Sequence, residues 1–193
     1  MRKTKVGILI SGGGSNAMAI IQAARARDYP AEIALVFSNR PDAGGLVKAK
    51  AAGVATAAVD HKPFGKDREA HERLVDAALR DAGVEFVVLG GYMRILTPWF
   101  VHQWSGRMIN IHPSLLPLFP GLHPHQQALD AGVTEHGCTV HWVVEGVDQG
   151  AAIDQATVPV LPGDDAEALA ARTLAAEHKL YPQALAKALS AIC

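Results

Sequence analysis

Two uninterrupted apolar runs, residues 6–10 (VGILI) and residues 86–89 (FVVL), constrain the fold of this chain most. A strand with one wet face alternates apolar and polar residues. A continuous run of this length implies burial on both faces, as in a parallel sheet covered by helices. The segments between them complete the pattern: a helix over 17–27, a strand over 33–37, a short helix over 46–52, a strand over 55–59 and a helix over 68–82. In the last of these, Leu74, Val75, Ala78 and Leu79 recur at helical spacing and form one apolar stripe. This βαβα alternation predicts an α/β fold, an open and mainly parallel twisted sheet with helices on both faces.

The pattern changes after residue 105. MINIH at 108–112 reads as another strand, followed by a proline-rich loop and a short helix near 126–131. CTVHWVV at 138–144 alternates and so predicts a strand with a more exposed face, with a partner near 153–160. These two are expected to run antiparallel. An alanine-rich helix over 165–188 closes the chain, started by acidic residues that suit a helix N-terminus and interrupted near Pro182. With 193 residues and neither repeats nor a linker, one domain is expected, residues 1–193, divided into halves at 1–105 and 106–193.

Charge and cysteine content exclude several function classes. Lys and Arg are scattered singly and the formal net charge is -1, so no basic stripe exists for a nucleic acid partner. The two cysteines, Cys138 and Cys193, are too few for a disulfide framework, which points to a reducing, cytoplasmic setting. The apolar run after the basic N-terminus ends in glycines too soon for a signal peptide, and no stretch reaches the roughly 18 apolar residues of a membrane span.

Two constellations carry chemistry. Ser11-Gly12-Gly13-Gly14-Ser15-Asn16 falls between the first strand and the first helix, where glycines let a ligand approach the backbone and helix N–H groups can meet a phosphate. A plain tight turn, with Ser15 or Asn16 as the helix N-cap, also explains it. A dinucleotide site is disfavoured: Ala17 stands where a third glycine would fall, and Phe37-Ser38-Asn39 closes the second strand without a carboxylate. The second constellation is Asn110 and His112, which alternation puts on one face at the carboxyl end of a strand that Pro113 terminates. Imidazole can pass a proton near neutrality, and an amide can donate to a developing oxyanion. Asn and His there could equally satisfy local backbone. Asp148, in the loop Glu145-Gly146-Val147-Asp148-Gln149-Gly150, would favour a protonated His112 if the fold brought them together.

At this point the chain resembles a known family. SGGGSN at 11–16, MRIL at 93–96, NIHPSLLP at 110–117, FPGLHPHQQAL at 119–129 and the Asp-x-Gly loop at Asp148 are similar, in order and from about residue 5 to 182, to the folate-dependent formyltransferases. FPGLHPH together with SGGGSN is similar to the branch that acts on glycinamide ribonucleotide. The resemblance implies a Rossmann-like formyltransferase fold, 10-formyltetrahydrofolate as co-substrate, no metal, and either a monomer or a homodimer. It implies Asn110, His112 and Asp148 as the catalytic set. Gly14, Ser15, Asn16, His123 and Glu177 would bind the ribonucleotide. Arg68, Met93, Arg94, Ile95, Leu96, Asn110, Val144, Glu145, Gly146, Val147 and Asp148 would bind the folate. It also makes residues 1–105 the phosphate-binding half and 106–193 the catalytic and folate-binding half.

The nine histidines fit no zinc spacing, so His125, His136 and His141 are expected to be structural. A formyltetrahydrofolate hydrolase would use the same three catalytic residues but carries an N-terminal regulatory domain, for which a first strand beginning at residue 5 leaves no room. A methionyl-tRNA formyltransferase would need a further C-terminal domain and a basic surface. The chain departs from the family pattern in two places. It stops at Cys193 where relatives run further, implying a missing terminal strand or a short protein. Gly13 stands where relatives often have Asn, which is expected to alter phosphate affinity without removing backbone donors.

Overall fold

The computed structural model describes residues 2–192, so expectations attached to Cys193 lie outside the described residues. Seven strands form one sheet in the order β3-β2-β1-β4-β5-β6-β7. β1 (Thr4–Ile10), β2 (Ala31–Ser38), β3 (Thr56–Ala58), β4 (Phe86–Leu89) and β5 (Met108–His112) are mutually parallel. β6 (Glu135–Trp142) and β7 (Ala152–Pro159) add antiparallel. The apolar runs behave as their continuity requires: Val6, Ile8 and Ile10 point into one core and Leu9 into the other. The first core packs against α1 (Ser15–Ala24), α2 (Gly44–Ala51) and α6 (Ala166–Ile192). The second packs against α3 (Arg68–Asp81) and α4 (Pro98–Gln103). α5 (Pro124–Asp130) contributes Ala128 to a smaller cluster with Val158 of β7 and Leu169 of α6. Gly7 has a packing reason, since a Cβ there would stand 2.6 Å from Leu79 Cδ2 of α3.

Four local expectations are corrected. Neither Ser15 nor Asn16 caps α1; Gly14 does, in the left-handed region at φ 67° and without a side-chain hydrogen bond. α1 also ends at Ala24 instead of Arg27. β6 has no exposed face over its middle: Cys138 and Val140 pack into the core with α6, and Thr139 on the other face is buried under the loop at Ser114 and Leu116. Pro182 does not interrupt the last helix. A proline inside a helix costs about 3 kcal/mol, yet Leu180, Tyr181, Ala184, Leu185, Ala188 and Leu189 around it are buried against the sheet and hold the helix through the missing bond. α4 was not anticipated, although Thr97-Pro98 is a cap followed by a first-turn proline and Thr97 Oγ1 accepts from the Phe100 N–H. Among the described residues no helix is long and apolar enough to cross a membrane.

The Tyr181 hydroxyl, fully buried on α6, donates to the Leu89 carbonyl at 2.6 Å, with the Ile109 carbonyl at 3.4 Å. It thereby ties α6 to the carboxyl end of β4, beside which the candidate site forms, and to the beginning of β5. Tyr181→Phe should lower unfolding stability by about 1–2 kcal/mol, because the buried carbonyl loses its donor. Denaturant midpoints check this, and an unchanged midpoint would show that the bond contributes nothing.

Candidate active site

The strand order reverses between β1 and β4, and ligands of open α/β sheets bind in the crevice beyond the strand ends at such a point. A cavity of about 520 Å³ opens there. It is lined by the glycine turn, Ser11 to Asn16, together with Asn39, Arg40, His61, Gly90, Gly91, Met93 and Leu174. The turn is a close-approach structure: a Cβ on Gly14 would stand 3.1 Å from Gly45 Cα, and one on Gly45 3.0 Å from the Gly12 carbonyl. A Cβ on Gly13 would meet only Lys48 Nζ, at an ordinary 3.9 Å, and that Nζ donates to the Gly13 carbonyl at 3.2 Å. No carboxylate lines this cavity, and Arg40 is its one Lys or Arg. Lining of that kind suits an anion.

Beneath the turn lies Glu177, buried on α6, with Asn16 Nδ2 donating to Oε1 over a long 3.5 Å. Burial pushes this carboxyl up from its ordinary 4.5 to about 7, and the Asn16 bond offsets only part of that. Glu177 is thus no exposed helix residue, although it does not itself line the cavity.

A second cavity of about 730 Å³ shares only Met93 with the first. Its walls are largely apolar, built from Met93 to Leu96, Val143, Val144, Val147, Leu122 and Tyr92, with Asn110, His141, Glu145 and Asp148 as polar members. Burial pushes the Tyr92 hydroxyl well above its ordinary value, so it remains a neutral donor. Arg94 also lines this cavity, and its Nη2 is buried without a partner. Arg68 stands outside it, where its Nη1 donates to the Ile95 carbonyl at 2.9 Å and ties α3 to the Met93 to Leu96 segment. His123 lines neither cavity; it is exposed and left-handed at the start of α5, beside Leu122, which does line the second.

The structure brings Asn110, His112 and Asp148 together. Alternation places Asn110 and His112 on one face of β5, opposite His141 and Thr139 of β6. Asp148 reaches them from a left-handed position, φ 55°, that is strained for a residue other than glycine. Its Oδ2 stands 3.3 Å from His112 Nδ1 and accepts from the Gly121 N–H at 3.0 Å. Both side chains are 8% exposed, so solvent screens the contact little. His112 Nε2 faces the Phe119 carbonyl at 2.9 Å. Nε2–H can donate to that carbonyl, while Nδ1 stands within ion-pair distance of the Asp148 carboxylate. The ring itself sits behind the wall of the second cavity, while Asn110 and Asp148 form part of that wall.

Burial disfavours a charge on the neighbouring histidines. Burial lowers the pKa of His125, to about 4, and those of His136 and His141. His125 Nδ1 and His136 Nε2 pair at 3.1 Å. His141, expected to be structural, instead lines the second cavity, with Nε2 3.7 Å from Asp148 Oδ1 and Nδ1 3.0 Å from its neighbour's carbonyl at Trp142. The distance to Asp148 is too long for a hydrogen bond, and burial outweighs the carboxylate, so His141 is a neutral member of the site. Sequence reasoning also missed Ser11 as more than part of a motif, along with Asn39, Arg40, His61 and Leu174; none had a local signal, since each is brought in by the sheet order. Among the described residues no group of three or more His, Cys, Asp or Glu side chains could hold a metal ion.

Comparison with known proteins gives concordant matches. Residues 4–185 match the family described as Formyl transferase. The Trifunctional purine biosynthetic protein adenosine-3 of Drosophila pseudoobscura pseudoobscura is 53% identical over 186 residues, which is 95% of this chain but only 14% of that protein. The chain thus spans a small part of that relative. Phosphoribosylglycinamide formyltransferase of Escherichia coli (strain K12) is 46% identical over 175 residues, covering 91% of this chain and 82% of that one. The crystal structure of Phosphoribosylglycinamide formyltransferase from Brucella melitensis superposes with a TM-score of 0.91 at 56% identity, covering 96% of this chain and 95% of that one.

The raised Glu177 carboxyl has a consequence for stability. In the folded protein it holds its proton up to about pH 7, whereas the unfolded chain releases it near 4.5. Between those values the folded state binds more protons, so stability falls as pH rises through the window. Glu177→Gln should flatten that slope and leave the protein more stable than wild type at pH 8, by up to about 3 kcal/mol. Denaturation at pH 4.5 and pH 8 checks this; equal slopes for both proteins would remove the assignment.

Proposed function

This chain belongs to the formyl transferase family, and from that premise we propose that it transfers the formyl group of 10-formyltetrahydrofolate to the amine of 5-phosphoribosylglycinamide, in purine biosynthesis in the cytoplasm. The observation that carries the reading is the pair of cavities. One is an anion-suited turn and the other an apolar slot, they meet at Met93, and Asn110 and Asp148 stand on the wall of the second. The ribonucleotide's phosphate would lie on Gly14, Ser15 and Asn16, with Glu177 below. The folate would lie in the second cavity, where the apolar walls suit a flat heterocycle and the unpartnered Arg94 Nη2 offers a donor to its carboxylates. In this reading residues 1–105 hold the phosphate, residues 106–193 supply the catalytic groups, and the whole works as one unit without a metal.

The neutral amine attacks the formyl carbon, a C–N bond forms, and the carbonyl electrons move onto oxygen. Asn110 donates its amide N–H to that oxyanion. His112, protonated between Asp148 and the Phe119 carbonyl, supplies positive charge from behind the wall, in a setting that excludes water. Asp148 takes the proton the attacking nitrogen must lose, directly or through a water. The carbonyl then re-forms, the bond to the folate nitrogen breaks, and the proton passes to that leaving nitrogen. Holding two substrates side by side contributes as much as the polar groups do.

The decisive experiment follows formyl consumption from 10-formyltetrahydrofolate with and without 5-phosphoribosylglycinamide. Turnover only with the ribonucleotide is expected; equal turnover without it would make the enzyme a hydrolase. His112→Ala should lower kcat by about 100-fold or more with folate binding largely kept, and equal loss of both would mark a structural histidine. Gly14→Val, which forces a branched side chain into φ 67° beside Gly45, should raise the acceptor's KM about tenfold or more relative to the folate's. An unchanged acceptor KM would detach the turn from the phosphate.

A further inference from the structure

Met93 is the one residue that lines both cavities, and its position is set by a relay that runs through neither the glycines nor the catalytic residues. The Met93 N–H donates to Ser11 Oγ at 2.8 Å, and the Ser11 hydroxyl donates to Asn39 Oδ1 at 2.6 Å. Asn39 Nδ2 in turn stands 3.1 Å from His61 Nδ1. The Ser11 N–H fixes the same loop a second time, by donating to the Gly91 carbonyl at 3.1 Å. Ser11 and Asn39 are 4% and 2% exposed, so neither group can exchange its partner for solvent freely. Each hydroxyl and amide is used in one direction only: Ser11 accepts from Met93 and gives to Asn39. Such a chain polarises each bond in it and holds a single geometry.

We infer that Ser11 is a positioning residue that couples the two substrate cavities: through its hydroxyl, the strand end carrying the anion-suited turn holds the Met93 backbone, and with it the loop against which the folate packs. The inference rests on the proposed reaction for the identity of the two ligands. Its distinguishing consequence is that a residue on the wall of the first cavity alone controls affinity in the second. Ser11 and Asn39 line only the first, while Met93 to Leu96 line the second. Without the hydroxyl, the Met93 N–H and Asn39 Oδ1 both lose their partners and the loop is free to leave its position.

The test measures binding rather than turnover, so that it stands whichever acceptor the enzyme uses. The dissociation constant of 10-formyltetrahydrofolate is measured by calorimetry for wild type, Ser11→Ala, Asn39→Leu and Asn39→Asp, with thermal midpoints recorded alongside. Ser11→Ala should weaken folate about tenfold, the effect of leaving the half-buried Met93 N–H and the buried Asn39 Oδ1 unpaired. Asn39→Leu, which removes the hydroxyl's acceptor, should weaken it about threefold and covers the case in which Ser11→Ala fails to fold. Asn39→Asp keeps an oxygen for the Ser11 hydroxyl, so folate should bind within about twofold of wild type. The new charge should nevertheless weaken inorganic phosphate in the first cavity. A purely structural role would lower the midpoints without this pattern. Folate affinity unchanged in both Ser11→Ala and Asn39→Leu, or weakened equally in Asn39→Asp, would overturn the inference. Failure of the wild type to formylate the ribonucleotide would count against the proposed reaction and leave these binding results to decide the coupling separately.

Discussion

The reversal of strand order between β1 and β4 is the constraint on which the rest of the site depends. β1 connects through α1 toward β2, and β4 continues toward β5 on the other side, so the loops leaving the two strand ends diverge. The space between them cannot be closed by either connection. The glycine turn after β1 and Gly90-Gly91 after β4 line what is left open. The order of the sheet also places β5 beside β4, which brings Asn110 and His112 within reach of the same crevice. Tyr181 locks this arrangement from below, with its hydroxyl on the β4 and β5 carbonyls.

Burial shifts several titratable groups near the site, and it acts selectively. His125, His136 and His141 are pushed toward the neutral form because they lose water without gaining a close carboxylate bond. His112 lies among them but has an acceptor at each nitrogen. The strained conformation of Asp148 fits the same logic. A left-handed backbone costs on the order of 1 kcal/mol or more for such a residue. The compensation is a carboxylate oriented at once toward His112 and the Gly121 amide, which ties the loop of residues 143–151 to the loop of residues 113–123.

Function is concentrated on backbone held by side chains from elsewhere in the chain. Met93 to Leu96 have no regular structure, yet Ser11 holds one end, Arg68 the middle, and Glu72 the far end by accepting from the Thr97 N–H at 2.9 Å. Burial raises the Glu72 carboxyl while the two bonds from Thr97 oppose that shift. An exposed methionine and isoleucine can therefore line a binding cavity without the loop collapsing onto it, because its backbone is anchored at several points.

The sequence by itself determined the parallel, helix-covered sheet, because continuous apolar runs such as residues 6–10 and 86–89 are stable only when buried on both faces. It determined that Asn110 and His112 share a face, since alternation along a strand is geometry, and its motifs pointed to the formyl transferase family. It could not place Asp148 against His112, because 35 residues of loop, helix and strand lie between them and only the antiparallel pairing of β5 with β6 brings the loop back. For the same reason no local pattern shows His141 on the wall of the second cavity, as its place opposite Asn110 depends on the register of β5 with β6. Ser11 and Asn39 were beyond reach in a further sense, and Glu177 was reached only through the family resemblance, its burial and its bond to Asn16 being invisible in the sequence. Their roles follow from burial and hydrogen bonds made across 28 to 161 positions of sequence, and such long-range contacts exist only once the chain has folded.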